Sequence, residues 1–401
     1  MKPGNLNGNR RDFVQSLGLT MGVLGAGGSL MGAEKVIAGF ERATRPDDAS
    51  KNWEPVSDQK VKVGIIGYGF CKFGADFSFQ THPNVEVVAV SDLIPERCEA
   101  LAKACKCSKT YPSLEELVKD DSIEAVYIAT DAPSHARHCI EALHHGKHVA
   151  CAVPAVFGSV EDADALLEAV KKSGKKYAMF ETSAFRAELY AMRQIYSAGA
   201  FGELVYAEGE YYHYGVENLP SYKGWRDGVP PQWYPTHSNA FHICVTGGSF
   251  TEVSCMGQPS ILPRLQPDNN RYKNPFGTEV AQFRTSEGGM ARMVVSWDTP
   301  GAEGEKGRVR GQRGSFYTEY QGLDKKLPGL ARPPLPPTVS LGGHGGSHGY
   351  LTDDFIVSIL LDRKPTVDII TSLNLSVSGV IAHQSALQGG ELLKIPQYTL
   401  S

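Results

Sequence analysis

The sequence predicts an α/β Rossmann domain with a doubly wound parallel sheet, followed by an α+β domain with an open-faced, mainly antiparallel sheet. Three observations predict it. From Val61 to about residue 182, short apolar runs rich in β-branched residues alternate with stretches of helical periodicity, the pattern of parallel strands joined by crossover helices. Beyond Ser183 the apolar runs lengthen and alternate residue by residue, which suits half-buried antiparallel strands. At 401 residues the chain is long enough for two cores.

Taken in order, VKVGIIGYG (61–69), VEVVAVSDL (85–93), AVYIAT (125–130), HVACAV (148–153) and KYAMFE (176–181) read as the strands of the first sheet. Between them ERCEALAKAC (96–105), SLEELVKD (113–120), HARHCIEALHHG (135–146) and SVEDADALLEAVKKSG (159–174) read as helices. Ser113 with Glu116 and Ser159 with Asp162 have capping-box spacing, and Gly146 and Gly174 suit left-handed helix ends. A helix over roughly 184–198 leads into ELVYAEGEYYHYG (203–215), VAQFRTSEGGMARMVVSW (280–297) and GRVRGQRGSFYTEY (307–320). The middle run carries a hairpin turn at Ser286-Glu287-Gly288-Gly289. PGLARPPLPP (328–337) reads as a proline-rich connector and GGHGGSHG (342–349) as a flexible glycine loop. The closing helix is expected near 351–362, packed back against the body.

The organisation that follows is a signal segment over 1–40, a linker over 41–59, a nucleotide-binding domain over 60–182 and a substrate and oligomerisation domain over 183–401. The signal rests on Asn9-Arg10-Arg11-Asp12-Phe13 and the uncharged, glycine-rich run from Phe13 to Met31, which together resemble a twin-arginine export address. A periplasmic or otherwise exported protein is therefore expected. No apolar run reaches membrane-spanning length, so the mature protein is expected to have no membrane span. With 21% charged residues and a net charge of −4, nothing points to nucleic acid. None of the eight cysteines forms a C-x-x-C pair, which suggests reduced core thiols and neither a disulfide framework nor a zinc site.

The first candidate chemistry is the loop after the first strand. Gly67 and Gly69 stand between a strand and an expected helix, where backbone N–H groups and a helix start can face a pyrophosphate. Phe70 and Cys71 complete that loop. The third glycine of G-x-G-x-x-G is irregular: Lys72 occupies its place and Gly74 follows two residues later. Asp92 ends the second strand, where a carboxylate can hold ribose hydroxyls and would repel a 2′-phosphate, so NAD is favoured over NADP. In the second domain Tyr234 and His237 are three apart at a helix start introduced by Pro235, so both can face one pocket. A histidine titrates near neutrality, and a tyrosine beside a cation can shuttle a proton. His242 on the same helix reads as structural. His344 and His348 have metal-like spacing but no acidic neighbour in sequence, and read as part of a substrate-covering loop, with no metal expected. Tyr211, Tyr212 and Tyr214 alternate through a sheet.

The strand–GxG start, Ala129-Thr130 at the end of a later strand, His135 and GKHV (146–149) resemble the Gfo/Idh/MocA oxidoreductases, as do FGELVYAEG (201–209) and the closing helix. The resemblance implies a substrate held between the two domains beside the nicotinamide, Thr130, His135 and Pro154 near the cofactor, and a homo-oligomer formed through the open sheet face. Most dehydrogenases of that family carry Glu-Lys-Pro after the GKHV strand, with the lysine acting at the substrate hydroxyl; here the stretch is Ala152-Val153-Pro154. The family's Asp-x-x-x-His pair is also absent, and by spacing to Gly248 those places hold Tyr234 and Ser238. Trp225-Arg226 and Tyr234-Pro235-Thr236-His237 are instead similar to the NAD-dependent glycosidases of glycoside hydrolase family 109. That likeness implies that Tyr234 and His237 are the acid–base groups and that Arg226 helps hold a sugar. The acidic residue that this group has before Val-Pro is Ala152 here.

The function expected is an NAD(H)-dependent carbohydrate oxidoreductase acting on a ring hydroxyl of a sugar or glycoside with a retained cofactor. One alternative is a redox-neutral glycoside hydrolase that oxidises the ring transiently, eliminates, adds water and re-reduces. Another is a non-catalytic NAD-binding sugar sensor. Outside the cytoplasm there is no NAD pool to exchange with, so an exported enzyme of this kind has to leave with its cofactor bound and restore it in each cycle.

Overall fold

The computed structural model describes residues 51–400. The expected signal segment, and the linker up to residue 50, lie outside the described residues.

The first sheet has six parallel strands in the order β3-β2-β1-β4-β5-β6. They are β1 (Val61–Ile66), β2 (Val85–Ser91), β3 (Thr110–Tyr111), β4 (Ala125–Ile128), β5 (His148–Cys151) and β6 (Tyr177–Met179). β1 and β4 pair side by side, with Val63 opposite Ala125 and Ile66 opposite Ile128, so strand order reverses next to β1, where a crevice opens at the carboxyl ends of the strands. Helices α2 (Pro95–Cys105), α4 (His135–His144) and α5 (Glu161–Ser173) cover the sheet. Ser159 Oγ accepts from Asp162 N at 3.0 Å ahead of α5, and Gly174 ends it at φ +64°. Ser113 Oγ likewise accepts from Glu116 N ahead of α3 (Leu114–Leu117), which is a single turn.

The helix expected after the glycine loop is also only one turn, α1 (Phe73–Asp76). Ser78, at φ +64°, turns the chain away, and Phe77 and Phe79 drop into the core beside Tyr127 and Phe180. Aromatic burial has overridden helical continuation there.

Helix α6 (Ala187–Ser197) leads into an eight-stranded sheet of order β13-β12-β11-β7-β10-β9-β8-β14. Its long strands are β7 (Leu204–Tyr212), β8 (Phe250–Pro259), β9 (Phe276–Thr285), β10 (Met290–Ser296) and β11 (Gly304–Gly311). Short strands β12 (Gly314–Phe316), β13 (Tyr320–Gly322) and β14 (Leu393–Lys394) finish its edges. All neighbours are antiparallel except β7 and β10. One face carries Ala207, Gly209 and Tyr211 toward the helices. The other is open and charged, with Glu208 paired to Arg292 and Arg308, as period-two alternation requires.

Two elements were not anticipated. β8 begins directly after α7 (Thr236–Thr246) in a run too mixed in polarity to stand out. The final helix is α10 (Ile369–Leu387), 19 residues long, and the expected closing helix is the preceding α9 (His348–Leu360). Fifteen of the nineteen residues of α10 are buried, serines and Asn374 among them, so it has no polar face to give it a helical period. Gly379 lets α10 lie against the 232–235 segment: a Cβ there would stand 2.2 Å from Gln232 O and 2.4 Å from Pro235 Cγ. No helix among the described residues is long and apolar enough to cross a membrane.

Candidate active site

Two adjoining hollows meet at Phe73, Ala152, Val153, Arg226 and Tyr234, which line both. The larger lies over the carboxyl end of the parallel sheet, and the smaller continues toward the second sheet.

The larger hollow is built for close approach of backbone to ligand. Gly67 follows β1 at φ +98°, and a Cβ on it would stand 2.3 Å from Ala129 O. A Cβ on Gly69 would meet nothing within 4 Å, so that residue borders open space. A Cβ on Gly74 would stand 2.4 Å from Gly67 O. Gly74 therefore does the close packing that the motif's third glycine would do, and Lys72 takes a left-handed conformation at φ +52° beside it. Asp92 accepts Tyr68 N at 2.7 Å and Ile94 N at 2.9 Å, which fixes a carboxylate at the rim with lone pairs left over for hydroxyls. These features fit a dinucleotide bearing a free 2′-hydroxyl. Phe70 stands 47% exposed at the rim, and Cys71 Sγ lies 3.9 Å from the Arg226 guanidinium.

Thr130 borders the hollow with its hydroxyl bonded to His138 Nδ1 at 2.8 Å. His135 also lines the hollow, with Nδ1 2.8 Å from Pro154 O and Nε2 3.3 Å from Thr130 O; as a neutral ring it donates to one of these carbonyls. It ties the ends of two strand loops together. Pro154 follows a cis peptide bond and is buried; Ala152 and Val153, and not Pro154, face the hollows.

The smaller hollow holds the sugar-site candidates. Pro235 starts α7, and the turn leaves Tyr234 and His237 on one side with ring centroids 5.8 Å apart. Tyr211 packs its ring edge against His237 at 4.6 Å. Arg226 stacks over Trp225 at 4.3 Å and lies 6.0 Å from the Tyr234 ring. Burial pushes the Tyr234 phenol up to about 12 even though Arg226 pulls it down, so Tyr234 keeps its proton near neutrality.

Beneath His237 lie two carboxylates the sequence reading did not single out. Nδ1 is 2.8 Å from Glu181 Oε1 and 3.7 Å from Glu305 Oε1. Burial alone would depress the His237 pKa, but Glu181 first and Glu305 after it outweigh burial and hold it above the usual histidine value. Burial likewise works to raise Glu181, and the imidazole beside it wins and lowers it. Glu305 stays raised by burial, although His237 and Arg186, whose Nη1 is 2.7 Å from Oε2, offset part of that.

The 342–349 segment is not a free loop. Gly343–Gly346 form a turn, α8, and His344 and His348 are 7% and 1% exposed. His344 Nδ1 is bonded to His348 Nε2 at 2.9 Å, and His348 stacks on Phe77 at 4.1 Å. The His344 ring lies 5.8 Å from that of His237, so it closes the inner end of the hollow. Ligating atoms of His237, Glu305 and His344 lie within 4.8 Å of one another. Glu181 also pairs with His237 and Arg186 with Glu305, so the three belong to a wider ion-pair network. His242 bonds Glu287 at 3.1 Å and stacks on Phe250, away from the hollow.

Glu181 had a signal in the sequence: like Asp92, it is a carboxylate ending an apolar strand run. Glu305 had none, because only the pairing of β11 with β7 sets it opposite Tyr211.

Residues 61–181 match the family described as the Gfo/Idh/MocA oxidoreductase family, NAD-binding Rossmann fold. Among curated proteins, a glycosyl hydrolase family 109 protein of Bacteroides fragilis is 33% identical over 176 residues, covering 41% of this chain and 38% of that protein. The chain thus spans about two-fifths of the length of the first such relatives. Another family 109 protein, from Saccharopolyspora erythraea, is 22% identical over 395 residues, covering 85% and 84%. Among solved structures, an NAD binding oxidoreductase from Klebsiella pneumoniae has a TM-score of 0.71 at 18% identity, over 84% of this chain and 100% of that one. Scyllo-inositol dehydrogenase from Lactobacillus casei, solved with NAD(H) and scyllo-inositol, has a TM-score of 0.66 at 15% identity, over 84% and 99%.

Proposed function

We propose that the protein is an NAD(H)-dependent carbohydrate oxidoreductase acting on a ring hydroxyl of a sugar or glycoside, from the premise that residues 61–181 match the Gfo/Idh/MocA oxidoreductase family. One observation carries the reading. The residues shared by the cofactor hollow and the inner hollow include Tyr234 and Arg226, and His237 stands next to them with a carboxylate at its back. When bound, NAD supplies the hydride acceptor.

The chain's own residues supply the proton chemistry. No lysine stands at Ala152-Val153-Pro154, so the base comes from the other wall. His237, as the neutral imidazole, takes the hydroxyl proton through Nε2, since Nδ1 is engaged by Glu181. Tyr234 keeps its proton near neutrality and donates a hydrogen bond to a sugar oxygen. Arg226 orients that oxygen from the Trp225 side. Because the His237 pKa is raised, the active neutral form is reached at higher pH than in an ordinary histidine, and activity rises with pH as the ring loses its proton.

A second reading, net glycoside hydrolysis, is favoured by the Tyr234-Pro235-Thr236-His237 segment and by the family 109 relatives. In such a cycle transient oxidation would acidify the neighbouring C–H and let the glycosidic bond leave by elimination; water addition and return of the hydride would make it redox-neutral. Such a cycle suits an exported protein that retains its cofactor, and the Arg10-Arg11 segment supports export by the twin-arginine route. The charged open face of the second sheet is where we place contact with a second copy.

The test is turnover by the purified protein, without and with added NAD, on 4-nitrophenyl glycosides and free sugars, following nicotinamide absorbance near ~340 nm together with aglycone release. Aglycone release without net NADH is the result expected of the redox-neutral cycle. Stoichiometric NADH that requires added NAD makes it a sugar dehydrogenase. Sugar binding that neither reaction accompanies, unchanged in Y234F and H237N, makes it a sensor.

A further inference from the structure

Glu181 is a wholly inaccessible carboxylate directly after β6, in a place where an unpaired charge would cost several kcal/mol. Its Oε1 accepts Ser183 N at 2.8 Å and faces His237 Nδ1 at the same distance. An ionised carboxylate can only accept, so Nδ1 carries the proton in that bond. Thr182 Oγ1, at 3.4 Å, lies on the same side of the ring. The other ring nitrogen is the one left for the hollow that His237 lines.

We propose that Glu181 is the positioning residue of this site: its bond to Nδ1 fixes the ring and tautomer of His237 so that Nε2 meets the substrate hydroxyl, and its charge stabilises the imidazolium formed when Nε2 takes the proton. The step balances within the chain, since the proton leaves the hydroxyl oxygen and arrives on Nε2 while Nδ1–H stays on Glu181. The logic is that of the carboxylate in a Ser-His-Asp triad, where the acid orients and stabilises the imidazole without itself being protonated. The inference rests on reading His237 as the base.

The groups around His237 come from several elements. Glu181 and Thr182 come from the segment after β6 and Tyr211 from the end of β7; His213, just beyond β7, lines the same hollow and bears on His344. Tyr234 precedes α7, Glu305 comes from β11 with Arg186 behind it, and His344 comes from α8. Glu305 is the rival for the role. It stands 3.7 Å away against 2.8 Å for Glu181, and Arg186 already neutralises it. His344 is held well below the ordinary histidine value, by burial first and then by His348, His237 and Arg186, so it adds no charge of its own near neutrality.

The experiment is a pH titration of His237 by ¹⁵N–¹H correlation spectroscopy in the full-length protein and in E181Q, E181D and E305Q, beside pH profiles of kcat and KM on the glycoside or sugar that turns over. Glutamine can still accept from Nδ1, so E181Q keeps the shape and removes the charge. In the wild type the neutral ring should be the Nδ1–H tautomer with a pKa above that of a free histidine. E181Q should let burial win, moving both the titration and the ascending limb of kcat to lower pH. It should also lower kcat by about 10²-fold with little change in KM. E181D should recover the limb in part, and E305Q should move it less than E181Q does. An Nε2–H tautomer in the wild type, or an E181Q titration that coincides with the wild type, overturns the proposal. The spectroscopic arm needs no turnover. A wild-type His237 with the expected tautomer and pKa in a protein that reduces no NAD and releases no aglycone would therefore remove the catalytic reading and leave the Glu181–His237 pairing standing.

Discussion

Gly67 shows how much a single residue type decides. Its φ of +98° and the 2.3 Å that would separate a Cβ from Ala129 O leave no room for any other side chain. Gly67→Ala should destabilise the protein by about 1–3 kcal/mol and weaken NAD binding by at least tenfold, about 1.4 kcal/mol. Thermal melts and a fluorescence titration with NAD would measure the two effects, and unchanged NAD affinity would remove the loop from the cofactor site. Gly67, Gly69 and Asp92 were readable because local chain geometry alone dictates them: a turn between strand and helix, and a carboxylate at a strand end. Tyr234 and His237 were readable because three-residue spacing at a helix start puts them on one side. His135 borders the larger hollow, and its ring nitrogens face Pro154 O and Thr130 O; only the fold brings the Pro154 loop to it.

Helix α7 shows what an element needs in order to carry a site. Ten of its eleven residues are buried, so it is wedged between α6, α10 and the second sheet. It lies on β7 because Gly209 has no side chain: a Cβ there would stand 2.0 Å from Ser238 O and 2.7 Å from Met293 Sδ. Asn239 Nδ2 ties it to α10 through Leu375 O and Ser378 Oγ, both at 3.0 Å. Gly209→Ala should cost about 1–3 kcal/mol, since overpacking forces backbone to move. Turnover should fall further than stability does, because the shift lifts His237 away from Glu181. Chemical denaturation and kcat on the same preparation would separate the effects, and a loss of stability with full activity would mean that α7 moves as a unit with its carboxylate. The strands and helices of the first sheet were legible because each buries a stripe or a face that recurs with its own period. α10 was not, because a helix surrounded by protein has no polar stripe to reveal its pitch, and the histidine turn at 342–349 was not, because its glycines imitate a loop while packing like core.

At the scale of the molecule, the site lies where the carboxyl edge of the parallel sheet meets the helix-covered face of the second sheet. NAD bound in the larger hollow at a hundredfold excess over its Kd should stabilise the folded chain by about 2.7 kcal/mol and raise Tm by a few degrees. NADP at the same concentration should leave Tm unchanged, because its 2′-phosphate would meet the Asp92 carboxylate. An equal shift with both would mean that Asp92 does not face the ribose. The sequence by itself determined the two fold classes, the dinucleotide loop with the Asp92 carboxylate at its rim, and the Tyr234–His237 pair, since periodicity, turn chemistry and spacing along one helix act over a few residues. Only the tertiary structure decided which groups stand behind them. Glu181, Tyr211, Glu305 and His344 come from four separate segments and stand about 3 to 6 Å from His237, an arrangement no sequence interval encodes. The electrostatics of the site are therefore a property of the packing, because burial sets the cost of each charge and proximity sets which neighbour offsets it.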